Sequence, residues 1–327
     1  MTTSLERPIF VVGCPRSGTT LVQCILSASS QAFSLPETHF FSYVLPETGR
    51  TPSDRLSVAD VQHARGAIEA ETDLPDLGPL WTSLQTRLDQ GAELTALDLF
   101  VAIVELFRPT GGQRAIEKTP LHVMHLEQIG ACFPDALFVN VVREPVDVVS
   151  SLLGVPWQPS RSVVSLAQRW VQSVEAAHAY AAAHPGRIQS VVYEALVQDP
   201  EAQVQRLCEF VGLPFEPAML DEFGKEAARN VGRAETWKRD IGRGVLLNRS
   251  GIWRSRMAPG QAWLVARATG RLGRAYGYQA QLEASAASIV RAMLVEARVR
   301  FGEARGTDGV VGAARHAGSV LKALGAV

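Results

Sequence analysis

The chain has 327 residues, long enough for a sizeable core and for about two domains, although α/β folds reach this size as one. With 46% apolar and 20% charged residues it reads as an ordinary soluble chain, and a formal net charge of −1 leaves no basic excess pointing to nucleic acid. Residues 1–7 lack a signal-peptide core, no run approaches the ~20 apolar residues of a membrane span, and Cys14, Cys24, Cys132 and Cys208 are widely scattered without metal spacing, so reduced thiols in a cytoplasmic protein are expected.

The first predicted element is a strand. Ile9, Phe10, Val11 and Val12 form the continuous apolar run that a strand buried on both faces needs. A tight loop bounded by Gly13 and Gly18 follows, and a helix opens at Thr19, with Leu21, Val22, Ile25 and Leu26 at helical spacing. Strand, glycine loop and helix N-terminus make an anion cradle: the loop and first-turn N–H groups lack intrahelical partners, and the helix dipole favours negative charge there. The spacing is that of a Walker A loop with one departure, since Thr19 stands where the lysine belongs and the loop's cation is Arg16. A guanidinium suits a planar fork of anionic oxygens, whereas the missing lysine disfavours ordinary ATP chemistry.

Further along, residues 32–35 read as a short strand that ends at Pro36 and delivers Glu37 and His39 into a loop. Residues from about 45 to 112 read as a helical insertion of the kind that covers a site or shapes a substrate pocket. Within it Ser57 and Asp60 resemble a capping box, Thr95 caps a helix carrying Leu97, Phe100, Val101, Val104 and Phe107, and Gly111-Gly112 break the chain. Strands at 114–118 and 136–142 precede helices at about 121–131 and from Pro145 to beyond Ser151, and a helix at about 162–183 carries Leu166, Trp170, Val174 and Ala177. Residues 187–193 read as another buried strand, after which Asp199-Pro200 start a helix holding Val204, Leu207 and Phe210.

This alternation predicts an α/β fold with a P-loop-like parallel sheet flanked by helices. A polar stretch at 222–259, rich in arginine and glycine, includes Arg243, Asn248, Arg249, Ser250, Gly251, Ile252, Trp253, Arg254 and Arg256. From about 260 the chain reads as helical, with a glycine-rich break at 306–312. The expected organisation is an α/β domain over 1–260 and a helical extension over 261–327, the extension serving for packing or for a homodimer surface.

In a parallel sheet the strand ends line one edge, where ligands bind. Arg16, Glu37, His39, Lys118 and Arg143 all fall just beyond predicted strands, with Ser151 one to two helical turns past Arg143. Several cations and one carboxylate are thus expected around an anion-rich ligand.

The motifs at these positions resemble those of a known family. Pro15-Arg16-Ser17-Gly18-Thr19-Thr20 resembles the 5′-phosphosulfate loop of sulfotransferases that use 3′-phosphoadenosine 5′-phosphosulfate (PAPS). Val142-Arg143-Glu144-Pro145 with Ser150-Ser151 resembles their 3′-phosphate motif, whose arginine and serine are eight residues apart, as Arg143 and Ser151 are here. Val192-Tyr193-Glu194-Ala195-Leu196 is similar to the family's tyrosine segment near the adenine. The resemblance, over about 8–257, is to the branch containing tyrosylprotein sulfotransferases and many bacterial small-molecule enzymes.

It implies PAPS as co-substrate, PAP (adenosine 3′,5′-bisphosphate) as product, no metal, and a hydroxyl of a small-molecule acceptor as the sulfate-accepting group. It also implies Glu37 as base, Arg16 and Lys118 as catalytic cations, and nucleotide contacts from Arg16, Ser17, Gly18, Thr19, Thr20, Arg143, Ser151 and Tyr193. Arg249, Ser250 and Gly251 are candidates in the late loop, where Ile252 stands in place of a basic residue before Trp253. His39 competes with Glu37, because the cytosolic branch uses a histidine base. A P-loop small-molecule kinase and a catalytically silent nucleotide-binding protein are the alternatives. The first requires a phosphate-reaching lysine and a metal-binding aspartate absent from these motifs, and the second requires no base.

Overall fold

The computed structural model describes residues 5–72, 74–75, 77–110, 113–225, 249–278 and 283–307. Arg243, Asn248, Gly111, Gly112 and the glycines at 309 and 312 lie outside them.

Five strands build one sheet, all pairs parallel: β1 (Ile9–Gly13), β2 (Ala32–Ser34), β3 (Arg114–Glu117), β4 (Leu137–Val142) and β5 (Ile188–Val192), in the order β2-β3-β1-β4-β5. Phe10 pairs with Glu117, Gly13 with Val141, Ser34 with Ile116 and Val142 with Val192, so every strand leaves the sheet along one edge. That edge receives Arg16, Glu37, Lys118, Arg143 and Tyr193 from successive strand ends.

Strand alternation sends β1 side chains to opposite cores. Ile9 and Val11 pack with Leu21, Val22 and Ile25 of α1 (Thr19–Ser27), and with Val204 and Leu207 of α10 (Pro200–Val211). Phe10 and Val12 face the other core, where Phe10 stacks on Phe138 at 5.6 Å and on Phe100 at 6.3 Å between centroids. Phe100 belongs to α5 (Ala96–Glu105), which follows α2 (Leu45–Thr48), α3 (Val58–Glu71) and α4 (Gly78–Asp89). The helical insertion therefore supplies much of one sheet face, beyond the covering role expected of it. Both expected caps form: Asp60 accepts from Ser57 N at 2.8 Å and Asp98 from Thr95 N at 2.8 Å, each with the reciprocal bond.

Two readings need correction. Residues 187–193, expected to be a buried strand, hold β5 at one edge of the sheet: only its Val191 is buried, because among the described residues nothing pairs beyond it. The single helix expected at 121–131 is a 3-10 segment, Pro120–His125, followed by α6 (Leu126–Cys132), which turns His122 inward. The helices α7 (Pro145–Leu153) and α8 (Val163–Ala183) follow the expected bounds closely, and a short α9 (Tyr193–Gln198) leaves β5.

The helix Pro259–Ala275 packs its Ala262, Leu264, Val265 and Ala266 into a third core with Val149 and Trp170. The helix Ala286–Thr307 lies on it and places the Glu296 carboxylate at the start of α8, accepting from Val163 N at 3.0 Å and Val164 N at 3.3 Å. No helix among the described residues is long and apolar enough to cross a membrane.

Candidate active site

The loop after β1 is shaped by backbone proximity. Gly13, at φ 141°, is so close to β4 that a β-carbon would sit 2.5 Å from the Val141 carbonyl oxygen. Gly18 caps α1 at φ 103° with no side chain serving the first-turn N–H groups, the condition for an anion site. Between them Arg16 is held at φ 75°, a left-handed backbone that costs a non-glycine residue about 1–3 kcal/mol. That conformation aims the guanidinium across the edge, where Nε donates to Ser151 Oγ at 3.1 Å. The Ser17 hydroxyl is buried without a hydrogen-bond partner. Burial pushes the Cys14 thiol up to about 12, so it is no nucleophile.

The second loop joins β4 to α7. Glu144 caps α7 by accepting from Asp147 N at 2.6 Å. Arg143 lies with its guanidinium 4.5 Å over the Tyr193 ring and donates from Nη2 to the Arg249 carbonyl at 2.6 Å. Trp170, fully buried in α8, donates from its indole N–H to the Arg143 carbonyl at 3.0 Å and fixes the turn. The Arg143 Nε and Ser150 Oγ atoms are buried and unpartnered. Asp147 holds the late loop by accepting from Gly251 N at 2.6 Å and Trp253 N at 3.0 Å; it lies 3.7 Å from Arg143 Nη2. Arg249, Ser250 and Gly251 are thereby tied to the turn that carries Arg143. Trp253 is a core residue, covered by the Arg254 guanidinium at 4.6 Å.

The third group comes from β2 and β3. Lys118 is completely buried and its Nζ donates to Glu37 Oε1. Glu37 Oε2 lies 3.4 Å from His39 Nε2, and the two side chains are 20% and 21% exposed, so this pair opens to solvent where Lys118 does not. Burial lowers the His39 pKa, partly opposed by Glu37. The Glu117 carboxyl, buried in the strand, is pushed up by desolvation, but His122, Thr119 and Thr38 outweigh this and hold it below the usual carboxylate range.

All three groups stand along one sheet edge. The profile of the Sulfotransferase family matches residues 8–217. The chain belongs to this family. The similarity extends to an uncharacterised protein of Aquifex aeolicus, 25% identical over 67% of this chain and 27% of that protein. It extends also to the nodulation protein NoeE of Sinorhizobium fredii, 27% identical over 71% of this chain and 60% of its relative. The chain thus spans between about a quarter and three fifths of the length of these relatives. A solved sulfotransferase domain from the curacin biosynthetic pathway is 24% identical, with a TM-score of 0.47, over 67% of this chain and 78% of that one.

In this member of the family the sequence-predicted residues divide by contact. Arg16 and Ser151 touch; Arg143, Tyr193 and Arg249 form a second cluster; Glu37, His39 and Lys118 form a third. Thr19 and Thr20 are buried at the start of α1. Missed from the sequence were Asp147, which organises the late loop, and Glu117 and His122 behind Lys118. Their signal was an acid before Lys118 and a histidine four residues after it. Among the described residues no cluster of His, Cys, Asp and Glu could hold a metal ion.

Proposed function

We propose that this protein transfers the sulfuryl group of PAPS to a hydroxyl of a small-molecule acceptor, with Glu37 as general base. The observation that carries the reading is the Arg16 Nε–Ser151 Oγ hydrogen bond of 3.1 Å. It joins the two anion motifs, 135 residues apart in sequence, across the mouth of one sheet edge. The buried polar atoms Ser17 Oγ, Ser150 Oγ and Arg143 Nε, which lack partners, fit a polyanion, since desolvated donors are costly to leave unmatched.

The loop residues Arg16, Ser17, Gly18, Thr19 and Thr20 hold the 5′-phosphosulfate, and Arg143 with Ser151 holds the 3′-phosphate. Arg249, Ser250 and Gly251 close over the nucleotide, and Tyr193 supports Arg143 beside the adenine. Glu37 takes the acceptor proton as the hydroxyl oxygen bonds to sulfur and the bond to the 5′-phosphate oxygen breaks, releasing PAP. A positioned base contributes about 10²–10⁴-fold. Lys118 and Arg16 meet charge developing on the sulfuryl and bridging oxygens, where each aimed donor is worth on the order of 3–4 kcal/mol. A transferring sulfuryl group carries less charge than a phosphoryl group, so cationic side chains serve without a metal.

The free thiols of Cys14, Cys132 and Cys208 are consistent with a cytoplasmic site of action. Val290 and Leu294, exposed one turn apart on the helix Ala286–Thr307, support self-association through the tail.

The test is a thermal-shift series followed by product analysis. PAP without magnesium should raise Tm, and ATP with magnesium should not; PAPS added to cell extract with the enzyme should then yield products heavier by one sulfuryl group. Absence of any PAP stabilisation would sink the reading.

A further inference from the structure

The Glu117 carboxylate takes no part in the reaction above, yet it anchors a web of bonds behind it. Its Oε1 accepts from Thr38 Oγ1 at 2.8 Å and Thr119 Oγ1 at 2.7 Å, and its Oε2 meets His122 Nδ1 at 2.9 Å. Each partner offers another polar site to the same piece of backbone. Thr119 Oγ1 accepts from His39 N at 3.2 Å, Thr38 Oγ1 from Phe40 N at 3.2 Å, and His122 Nε2 from Phe41 N at 3.2 Å. The N–H groups of consecutive residues 39, 40 and 41 are each tied, through one side chain, to a single carboxylate.

The direction of every bond is determined. Because Nε2 accepts from a backbone N–H, the His122 ring carries its proton on Nδ1 and donates it to Glu117. The threonine hydroxyls donate to Glu117 and accept from the backbone. Glu117 must therefore accept everywhere, which a carboxylate does and a carboxamide cannot. Its side chain and those of His122, Thr38 and Thr119 are all buried, so water is a poor substitute. The anchored segment begins at His39, at φ 50°, two residues beyond Glu37. Lys118, adjacent to Glu117 in sequence, pairs with Glu37.

We infer that Glu117 is a positioning residue for sulfuryl transfer: through Thr38, Thr119 and His122 it fixes the backbone that sets the Glu37–His39 edge against Lys118. The inference rests on the sulfotransferase reading of Glu37, and the experiment separates the two.

Glu117→Gln puts an amide N–H₂ against a hydroxyl or against His122 Nδ1–H. PAP affinity should stay within about threefold of the parent, while exchange of the amide protons of residues 39–41 should accelerate at least about tenfold. With PAPS and 4-nitrophenol as acceptor probe, kcat should fall about 30-fold or more with KM for PAPS little changed. Nitrogen NMR should find the His122 proton on Nδ1 in the parent and displaced in the variant. Thr119→Val should reproduce part of the kcat loss, and Thr119→Ser should restore it. Unchanged amide exchange in Glu117→Gln would overturn the inference. So would equal losses of kcat and PAP affinity, or a Thr119→Val enzyme as active as Thr119→Ser. If Glu117→Gln does not fold, the Thr119 pair decides by the same readouts. If the parent binds PAP but leaves 4-nitrophenol unsulfated, amide exchange alone decides. Failure of the parent to bind PAP counts against the sulfotransferase reading and leaves the exchange result to judge Glu117.

Discussion

Gly18 sits against the Tyr193 ring so closely that a β-carbon would lie 2.6 Å from its Cδ2. The same ring lies beneath the Arg143 guanidinium at 4.5 Å, so one aromatic plate couples the β1 loop to the β4 loop. Gly18→Ala should therefore disturb both loops, through its φ of 103° and through displacement of Tyr193. PAP affinity is expected to drop at least about tenfold, with a stability loss of roughly 1–3 kcal/mol. Gly49→Ala is the control: its φ is also positive, but no atom lies within 4 Å of the added carbon, so strain alone should lower Tm while PAP affinity holds. Calorimetric titration of both variants checks this, and equal affinities would show that the Tyr193 contact is immaterial.

Arg143 should recognise the 3′-phosphate. Its Nε is buried without a partner while Nη2 is engaged by the Arg249 carbonyl, so an unmatched donor is available to an anionic ligand. Arg143→Ala is expected to cost about 1.5–3 kcal/mol of PAP affinity, the range for a charge-assisted hydrogen bond. It should leave binding of adenosine 5′-phosphate, which lacks that group, nearly unchanged. Equal weakening of both ligands would instead assign Arg143 to holding Tyr193 and Asp147 in place.

How far the sequence reveals this site depends on how local each device is. The β1 loop and α1 are legible because an apolar run, bounding glycines and a helical repeat are contiguous. The capping boxes at Ser57 and Thr95 are legible for the same reason, each spanning one helical turn. Thr38 and Glu117, by contrast, are 79 residues apart, and Phe41 and His122 are 81 apart. The acid before Lys118 and the histidine four residues after it are a local hint, but nothing local shows that Glu117 is buried rather than solvated at a strand end. Ile188, Val191 and Val192 signal the strand β5 but not its place at the sheet's edge, which tertiary pairing decides. Likewise the repeat of α5 marks an apolar face without showing that Phe100 meets Phe10 across the sheet.

A pH dependence of stability follows from Glu144. Burial raises its pKa to about 7, with Asp147 and Glu194 adding to the rise against the Asp147 N–H bond. The folded state therefore keeps the proton where the unfolded chain, titrating near the ordinary 4.5, has lost it. Stability from this group is fully present below about 4.5, falls as pH rises toward about 7 and levels off above, by on the order of 3 kcal/mol at most. Glu144→Gln keeps an acceptor for the α7 cap and removes the titration. Its Tm relative to the parent should rise between pH 5 and pH 8. A pH-independent difference would mean that Glu144 is ionised in the fold throughout.

The division of labour among Glu37, His39 and Lys118 is decided by comparing rate with binding. Lys118 is buried beneath Glu37 and Glu37 bridges it to His39, so the carboxylate is central to the group. Glu37→Gln should lower kcat by about 10²–10⁴-fold with PAP affinity little changed. Lys118→Ala should also act on kcat, through lost stabilisation of developing charge, by about 10²–10³-fold. His39→Gln preserves a hydrogen-bonding group near Glu37 and should cost only a few-fold. The pH profile separates a histidine base independently. Burial holds the His39 imidazole below its usual range, so a His39 base would give an acidic limb below about 6.5 that His39→Gln abolishes. With Glu37 as base, His39→Gln leaves the shape of the pH profile unchanged, whereas Glu37→Gln alters it. An active Glu37→Gln enzyme beside a His39→Gln enzyme slowed by two orders of magnitude would exchange the two roles.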